Sequence, residues 1–188
     1  VYLSGGVGIG VGVVIEGRVL LGIAGYAGEA GHTVVNPGGI ECRCGSVGCW
    51  ETEAGESALL RRLGGDVTGE DAPIQAVADL AAAGDRATLD AMSAVGHWLG
   101  IGIANMVNMF NPEAVLLGGL YEPLYGFLEN SLRAAVRANA LAAAAAVVTI
   151  GPSALGQDAP LIGAAEMIFS RFLSDPAGNA RLAPAQLV

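Results

Sequence analysis

The chain has 188 residues, with 9 Arg and Lys together against 18 Asp and Glu, and a formal net charge of −9 at pH 7. Because an acidic surface repels the phosphate backbone of nucleic acids, this charge argues against direct nucleic-acid binding by these residues. Hydrophobic residues make up 53% of the chain and charged residues 14%, which excludes the composition typical of intrinsic disorder.

The first strands are predicted around a tight turn near the start of the chain. Residues 1–4 form a short apolar run, which favours a strand. Two further apolar runs, residues 11–15 and 18–21, flank Glu16-Gly17 and therefore predict a β-hairpin. Residues 25–50 are rich in Gly, Pro, Cys and Asn and show no hydrophobic period. This composition predicts a long loop without secondary structure, which needs an organiser of its own.

Three helices are predicted in the middle of the chain, where they form one helical block. The first covers residues 52–63, and the second covers residues 72–83 with Pro73 at a favourable first helical position. The third covers residues 86–110, where apolar side chains recur at steps of three and four until Asn111-Pro112 ends the helix.

Strands and helices alternate in the last third of the chain. Residues 114–117 form an apolar run closed by Gly118-Gly119, which predicts a buried strand that leads into a helix over residues 120–139. The strand pattern repeats over residues 147–150. Such alternation predicts parallel strands in an α/β sheet. Residues 176–188 are expected to form a terminal tail.

Residues 138–157 carry no charge, which raises the question of a membrane span. This stretch contains Gly, Pro and many Ala, so it lacks the sustained apolarity of about 20 residues that a span requires. No basic segment precedes an apolar one at the start, so no secretory signal is predicted. The odd number of cysteines, 3, favours metal binding or buried thiols in a reducing compartment. We therefore expect a cytoplasmic protein without a membrane partner.

Four potential metal ligands fall in the predicted loop: His32, Cys42, Cys44 and Cys49. Three Cys and one His suit a closed tetrahedral site for structural Zn²⁺, without an open position for a catalytic water. Gly45 and Gly48 would let the backbone curl around the ion. The alternative is three unrelated buried thiols and a loop histidine, but the close spacing of the cysteines favours a common site. Zinc would supply the order that the composition of this loop cannot.

The ligand block closely resembles the signature of the ROK family, which groups sugar-responsive bacterial repressors with sugar kinases. It reads Glu29-Ala-Gly-His32 and, after nine intervening residues, Cys42-Arg-Cys44-Gly-Ser-Val-Gly-Cys49-Trp-Glu51. Ser4-Gly-Gly-Val-Gly-Ile-Gly10 resembles the family's phosphate turn, and Asn111-Pro112 through Gly118-Gly119 resembles its nucleotide-side turn. The glycines of these two turns are Gly6, Gly8, Gly10, Gly118 and Gly119.

The resemblance implies an actin-like, ribonuclease-H-like ATPase fold of the α/β class. Residues 1–175 would be the C-terminal lobe of a sugar-binding domain, with residues 25–51 as its zinc loop. Because the chain opens on Val1 in what resembles the middle of a fold, we expect a fragment. The N-terminal lobe and any DNA-binding domain would be missing from it.

The resemblance also implies a sugar site at Glu29, His32 and Glu51. Carboxylates accept hydrogen bonds from adjacent hydroxyls, which suits them to sugars. The imidazole of His32 would bind zinc through one nitrogen and offer the other nitrogen to the sugar. The alternative is that the two Glu are ordinary solvated loop charges.

Phosphoryl transfer needs a general base beside the sugar and a cradle for the ATP phosphates. ROK kinases carry that base as an Asp in an Asn-Asp pair just upstream of the segment that matches Val1, and no Asp of this chain has such a context. They usually have a Thr in the phosphate turn where this chain has Val7, whose isopropyl group cannot donate a hydrogen bond. We therefore predict the non-catalytic sugar effector-binding domain of a ROK transcriptional regulator, without catalytic residues.

Two alternatives stay open. The chain would be the C-terminal half of an ATP-dependent ROK sugar kinase similar to glucokinase, or a zinc-stabilised oligomerisation module without a ligand. A homodimer is expected, with DNA bound only through a missing N-terminal domain. The identity of the sugar stays open, because a similar pattern of hydroxyls is common to many hexoses.

Several residues outside the loop are expected to have structural roles alone. His97 and Trp98 are predicted to pack in the long helix with a satisfied ring nitrogen. Arg61 and Arg62 are predicted to be partners of a helix dipole or a solvated pair. The methionines of the long helix are predicted to fill the core: Met92, Met106 and Met109.

Overall fold

The computed structural model describes residues 1–65 and 74–176. Its six strands are β1 (Tyr2–Gly5), β2 (Ile9–Gly12), β3 (Val14–Ile15), β4 (Arg18–Val19), β5 (Ala114–Gly119) and β6 (Thr149–Pro152). Four of them form one sheet in the order β2-β1-β5-β6, and β3 and β4 form a second, two-stranded sheet. The main sheet is mixed, since β2 runs antiparallel to β1 whereas β1, β5 and β6 are parallel.

The parallel pairing predicted for the last third of the chain is confirmed in β5 and β6. The antiparallel strand β2 was not predicted. The turn of Gly6, Val7 and Gly8 is short enough to reverse the chain, so that Gly5 pairs with Ile9. The predicted hairpin at Glu16-Gly17 is confirmed in β3 and β4, but each of its strands has only two residues.

The helices are α1 (Trp50–Ala54), α2 (Glu56–Arg62), α3 (Ile74–Ala82), α4 (Arg86–Phe110), α5 (Tyr121–Asn139), α6 (Ala142–Val147) and α7 (Ala159–Ser174). The bounds predicted for α4 are confirmed. The single helix predicted over residues 52–63 is wrong, because Gly55 is extended with ψ 178° and separates α1 from α2. Pro73, predicted to begin the next helix, lies outside the described residues.

The strand predicted over residues 147–150 is displaced in the structure. An alanine-rich segment forms α6, which ends at Val147, because alanine has the highest helix propensity. The strand β6 therefore begins at Thr149, where it pairs in register with Ala114 of β5.

The core joins the main sheet to α4 and α5. Leu3 of β1 and Leu117 of β5 are fully buried together with Leu99 and Ile103 of α4. On the same helix, Met92 and Met106 are buried as predicted. Two other predictions are wrong: the exposed fraction of Met109 is 59%, and His97 is exposed. His97 lies on the outer face of α4 together with the exposed Ser93. Met109 lies in the last turn of the helix beside the exposed Asn108.

The chain divides into two compact units, Val1–Ser153 and a second that begins at Ala154. The second unit contains a short 3-10 helix, Gly156–Asp158, followed by α7. The predicted tail of residues 176–188 lies, except for its first residue, outside the described residues, and the predicted domain bounds stay a prediction. In the described part of the chain, no helix is both long enough and apolar enough to cross a membrane.

Candidate functional site

The loop predicted to lack secondary structure has a defined backbone. It contains a short 3-10 helix, Ala30–His32, and two isolated β-bridges, Val34 with Cys49 and Glu41 with Val47. Inside the second bridge a tight turn is closed by two backbone hydrogen bonds, from Cys42 N to Ser46 O at 2.7 Å and from Gly45 N to Cys42 O at 2.8 Å. The expectation of a loop without internal structure is therefore wrong.

Two glycines allow this loop to fold, as predicted. Gly45 has φ 89° and Gly48 has φ 74°, a region that side-chain-bearing residues rarely adopt. A Cβ on Gly48 would also collide with the carbonyl oxygen of Asn36. Gly48 therefore cannot be replaced without moving the backbone next to Cys49.

The four predicted metal ligands form one cluster, in which all ligand atoms of His32, Cys42, Cys44 and Cys49 lie within 4.8 Å of one another. The distance from His32 Nδ1 to Cys42 Sγ is 3.6 Å, and the distance from Cys44 Sγ to Cys49 Sγ is 3.5 Å. Ligands about 2.3 Å from a tetrahedrally coordinated ion stand about 3.8 Å apart. The cluster is therefore a candidate site for a metal ion, and its donor set fits zinc.

The three thiols of the cluster differ in acidity. Burial raises the pKa of Cys42 and raises the pKa of Cys49 to about 12, whereas the backbone N–H of Ser46 lowers the pKa of Cys44 to about 6. Because metal ligation requires thiolates, an ion bound here would displace the protons of the two buried thiols.

A cleft of about 390 Å³ is lined both by His32 of the cluster and by residues of the glycine turn. Glu29, His32 and Glu51 line it, as does the turn with Gly6, Gly8 and Gly10. His32 Nδ1 faces the cluster and lies 3.7 Å from Glu51 Oε1, whereas its Nε2 lies 4.0 Å from Glu29 Oε2. The two ring nitrogens thus point to different partners, one at the cluster and one at the exposed carboxylate.

The second glycine pair is not part of the lining of this cleft, although the residues that it pairs with are. Gly118 and Gly119 pair in parallel register with Ser4 and Gly5 of β1. A Cβ on Gly118 would collide with the ring of Tyr2, and a Cβ on Gly119 would collide with the carbonyl oxygen of Gly5. Both glycines thus have a packing role between β5 and β1, and their role in a nucleotide-side turn stays a prediction.

Residues not singled out from the sequence support the cleft. Trp50 is fully buried, and its Nε1 donates to the carbonyl oxygen of Trp98 at 3.0 Å, which anchors α1 to α4. Gly102 of α4 faces the Trp50 ring, and a Cβ there would collide with it. The helix that begins with Trp50 and carries Glu51 is thus positioned by the long helix. The spacing of residues along the sequence does not predict this contact between Trp50 and Gly102.

The buried Glu53 forms a second support. It accepts a hydrogen bond from Asn36 Nδ2 at 3.0 Å and lies 3.4 Å from Arg62 Nη2. Arg61 Nη2 donates to the carbonyl oxygen of Thr52 at 2.7 Å. Arg61 and Arg62 lie in the last turn of α2, where a partner of the helix dipole was predicted, and both side chains also bind α1.

The guanidinium of Arg43 also lines the cleft, with its Nε 3.5 Å from Glu51 Oε1. Arg43 was not predicted as a site residue, although its position between Cys42 and Cys44 in the sequence was an available signal.

Comparison with known proteins gives a consistent result. The ROK family model matches residues 1–171. The xylose repressor of Bacillus subtilis strain 168 is 36% identical over 173 residues, which cover 92% of this chain and 44% of the repressor. This chain thus spans less than half the length of that relative.

Two solved structures share the fold. A ROK family transcriptional regulator, a homolog of the Escherichia coli MLC protein, has 32% identity and a TM-score of 0.70, covering 80% of this chain and 40% of that chain. A ROK family glucokinase from Streptomyces griseus, in complex with glucose and AMPPNP, has 29% identity and a TM-score of 0.71, covering 88% of this chain and 59% of that chain. The predicted α/β class, a mixed sheet with helices and sugar-kinase neighbours, is confirmed.

Proposed function

The chain belongs to the ROK family, and we propose that it is the sugar effector-binding part of a ROK transcriptional regulator. The observation that carries the proposal is the cleft in which Glu29, His32 and Glu51 stand beside a candidate metal cluster. In this proposal the DNA-binding segment lies outside these 188 residues. The similarity to the xylose repressor over most of the chain supports it.

The metal in this proposal is Zn²⁺, held by His32, Cys42, Cys44 and Cys49. A closed set of three thiolates and one imidazole leaves no position for a catalytic water, so the ion is structural and fixes the geometry of its ligands. His32 binds it through Nδ1, the nitrogen that lies 3.6 Å from Cys42 Sγ. Its Nε2 is then held toward the cleft.

The two carboxylates differ in exposure, which suits a ligand-dependent closure. The side chain of Glu51 is 9% exposed, whereas that of Glu29 is 66% exposed. Glu51 is a fixed acceptor for sugar hydroxyls, and Glu29 reaches its position when the sugar binds. Such a change transmits a signal only if the sugar binds one conformation more tightly than the other.

Val7 supports the regulator over the kinase. Its side chain stands at the tip of the glycine turn with 71% exposure and offers no donor to a phosphate oxygen. The alternative is a sugar kinase, favoured by the likeness to the Streptomyces griseus glucokinase and by the glycine turn in the cleft. In the kinase alternative ATP is a substrate; in the regulator it has no role.

Calorimetry on the full-length protein tests the proposal. D-xylose and D-glucose are titrated with and without operator DNA, and we expect tighter sugar binding to the DNA-free protein. Equal affinity in both states would refute the regulator. A coupled ATPase assay with the same sugars tests the kinase, and robust turnover would reverse the ranking. If the protein retains zinc but no sugar shifts its melting temperature, the result favours the zinc-stabilised oligomerisation module. Light scattering then tests the homodimer that is expected for it.

A further inference from the structure

A charged pair separates two neighbouring clefts on this surface. The cleft with Glu29 and His32 lies on one side, and a second cleft of about 300 Å³, lined by Val7, Thr52 and other residues, lies on the other. Arg43 and Glu51 line both clefts. Their side chains therefore form the wall that the two clefts share.

The wall lies directly against the glycine turn. An ideal Cβ on Gly8 would stand 2.7 Å from Glu51 Oε2 and 3.1 Å from Arg43 Nη2. Both ends of the pair thus occupy the space that a side chain at this position would fill. Gly8 of the turn thus lies against the carboxylate of Glu51, and the guanidinium Nε of Arg43 lies 3.5 Å from Glu51 Oε1.

The other neighbours of the Glu51 carboxylate do not supply a fixed positive charge. Oε1 lies 3.2 Å from Cys42 Sγ and 3.7 Å from His32 Nδ1. When those atoms hold a metal ion, the sulfur is a thiolate and the imidazole nitrogen is engaged, so neither donates a hydrogen bond to the carboxylate. Arg43 then remains as the cationic side chain that pairs with Glu51 in the cleft.

From this geometry we propose that Arg43 is a positioning residue that orients the Glu51 carboxylate for sugar binding. The inference rests on the proposed function, because it assigns a role within the same cleft. The Arg43 side chain is 66% exposed, and an exposed ion pair contributes little to folding stability. Its removal is therefore expected to change ligand affinity without unfolding the protein.

The test is a double-mutant cycle on the zinc-loaded, full-length protein, with D-xylose and D-glucose as probes. Arg43→Gln is measured alone and in a Glu51→Gln background by calorimetry, with zinc content and melting temperature recorded for each variant. Arg86→Gln is the matched control, since Arg86 forms an exposed pair with Asp90 on α4. Arg43→Lys tests whether a positive charge restores part of the affinity.

We expect Arg43→Gln to weaken sugar binding roughly 3- to 10-fold at unchanged zinc content, since the loss is that of one ion pair. In the Glu51→Gln background the same change costs less than about twofold, since the carboxylate it orients is gone. Equal losses in both backgrounds, an unaltered affinity, or a loss of affinity that tracks a loss of zinc would each overturn the inference. If the unmodified protein binds neither probe, the proposed function itself fails.

Discussion

Replacing Gly102 by Ala tests whether the contact between α4 and Trp50 sets the geometry of the cleft. The new methyl group would collide with the Trp50 ring, which is fully buried and held by the hydrogen bond from Nε1 to the Trp98 carbonyl oxygen. Alanine gains about 1 kcal/mol of helix propensity over glycine. Overpacking of a rigid core costs about 3 kcal/mol, so the expected net loss of stability is about 2 kcal/mol.

Gly126→Ala is the matched control, because nothing lies within 4 Å of a Cβ at that position in α5. We expect this variant to be more stable by up to about 1 kcal/mol. Urea denaturation followed by tryptophan fluorescence measures both changes, since Trp50 and Trp98 are the 2 tryptophans of the chain. Because Trp50 begins α1, Gly102→Ala should also lower zinc retention and sugar affinity together. Equal stability of the two variants would refute the reasoning.

Three further predictions follow from single contacts. Gly8→Ala should displace Glu51, whose Oε2 lies 2.7 Å from the ideal Cβ, and weaken sugar binding roughly tenfold in calorimetry at unchanged zinc content; undiminished affinity would contradict this. Cys49→Ser should reduce bound zinc, measured by elemental analysis after dialysis. Hydrogen bonds from Thr88 lower the pKa of Asp85, so this carboxylate stabilises the fold above about pH 4 and loses that effect in acid. The melting temperature of Asp85→Asn should therefore fall less below pH 4 than that of the unmodified chain.

Much of the candidate metal site was predictable from the sequence, because its ligands are close along the chain. His32 and the three cysteines lie in one loop, and ligand type and spacing are local properties. The bounds of α4 were predictable for the same reason, since the helical period of apolar residues is a local property of the sequence. The break at Gly55 was not, because it depends on neighbours such as Tyr121, whose hydroxyl donates to the carbonyl oxygen of Ala54.

The sequence by itself determined which side chains can chelate an ion and where the long helix α4 begins and ends, since both follow from neighbours within a few residues. Only the tertiary structure decided that Trp50 rests on Gly102, that β1 pairs with β5, and that Arg43 meets Glu51 beside Gly8. These contacts join segments that local patterns treat as independent. Their geometry is set by burial of the shared core, where close packing allows few arrangements.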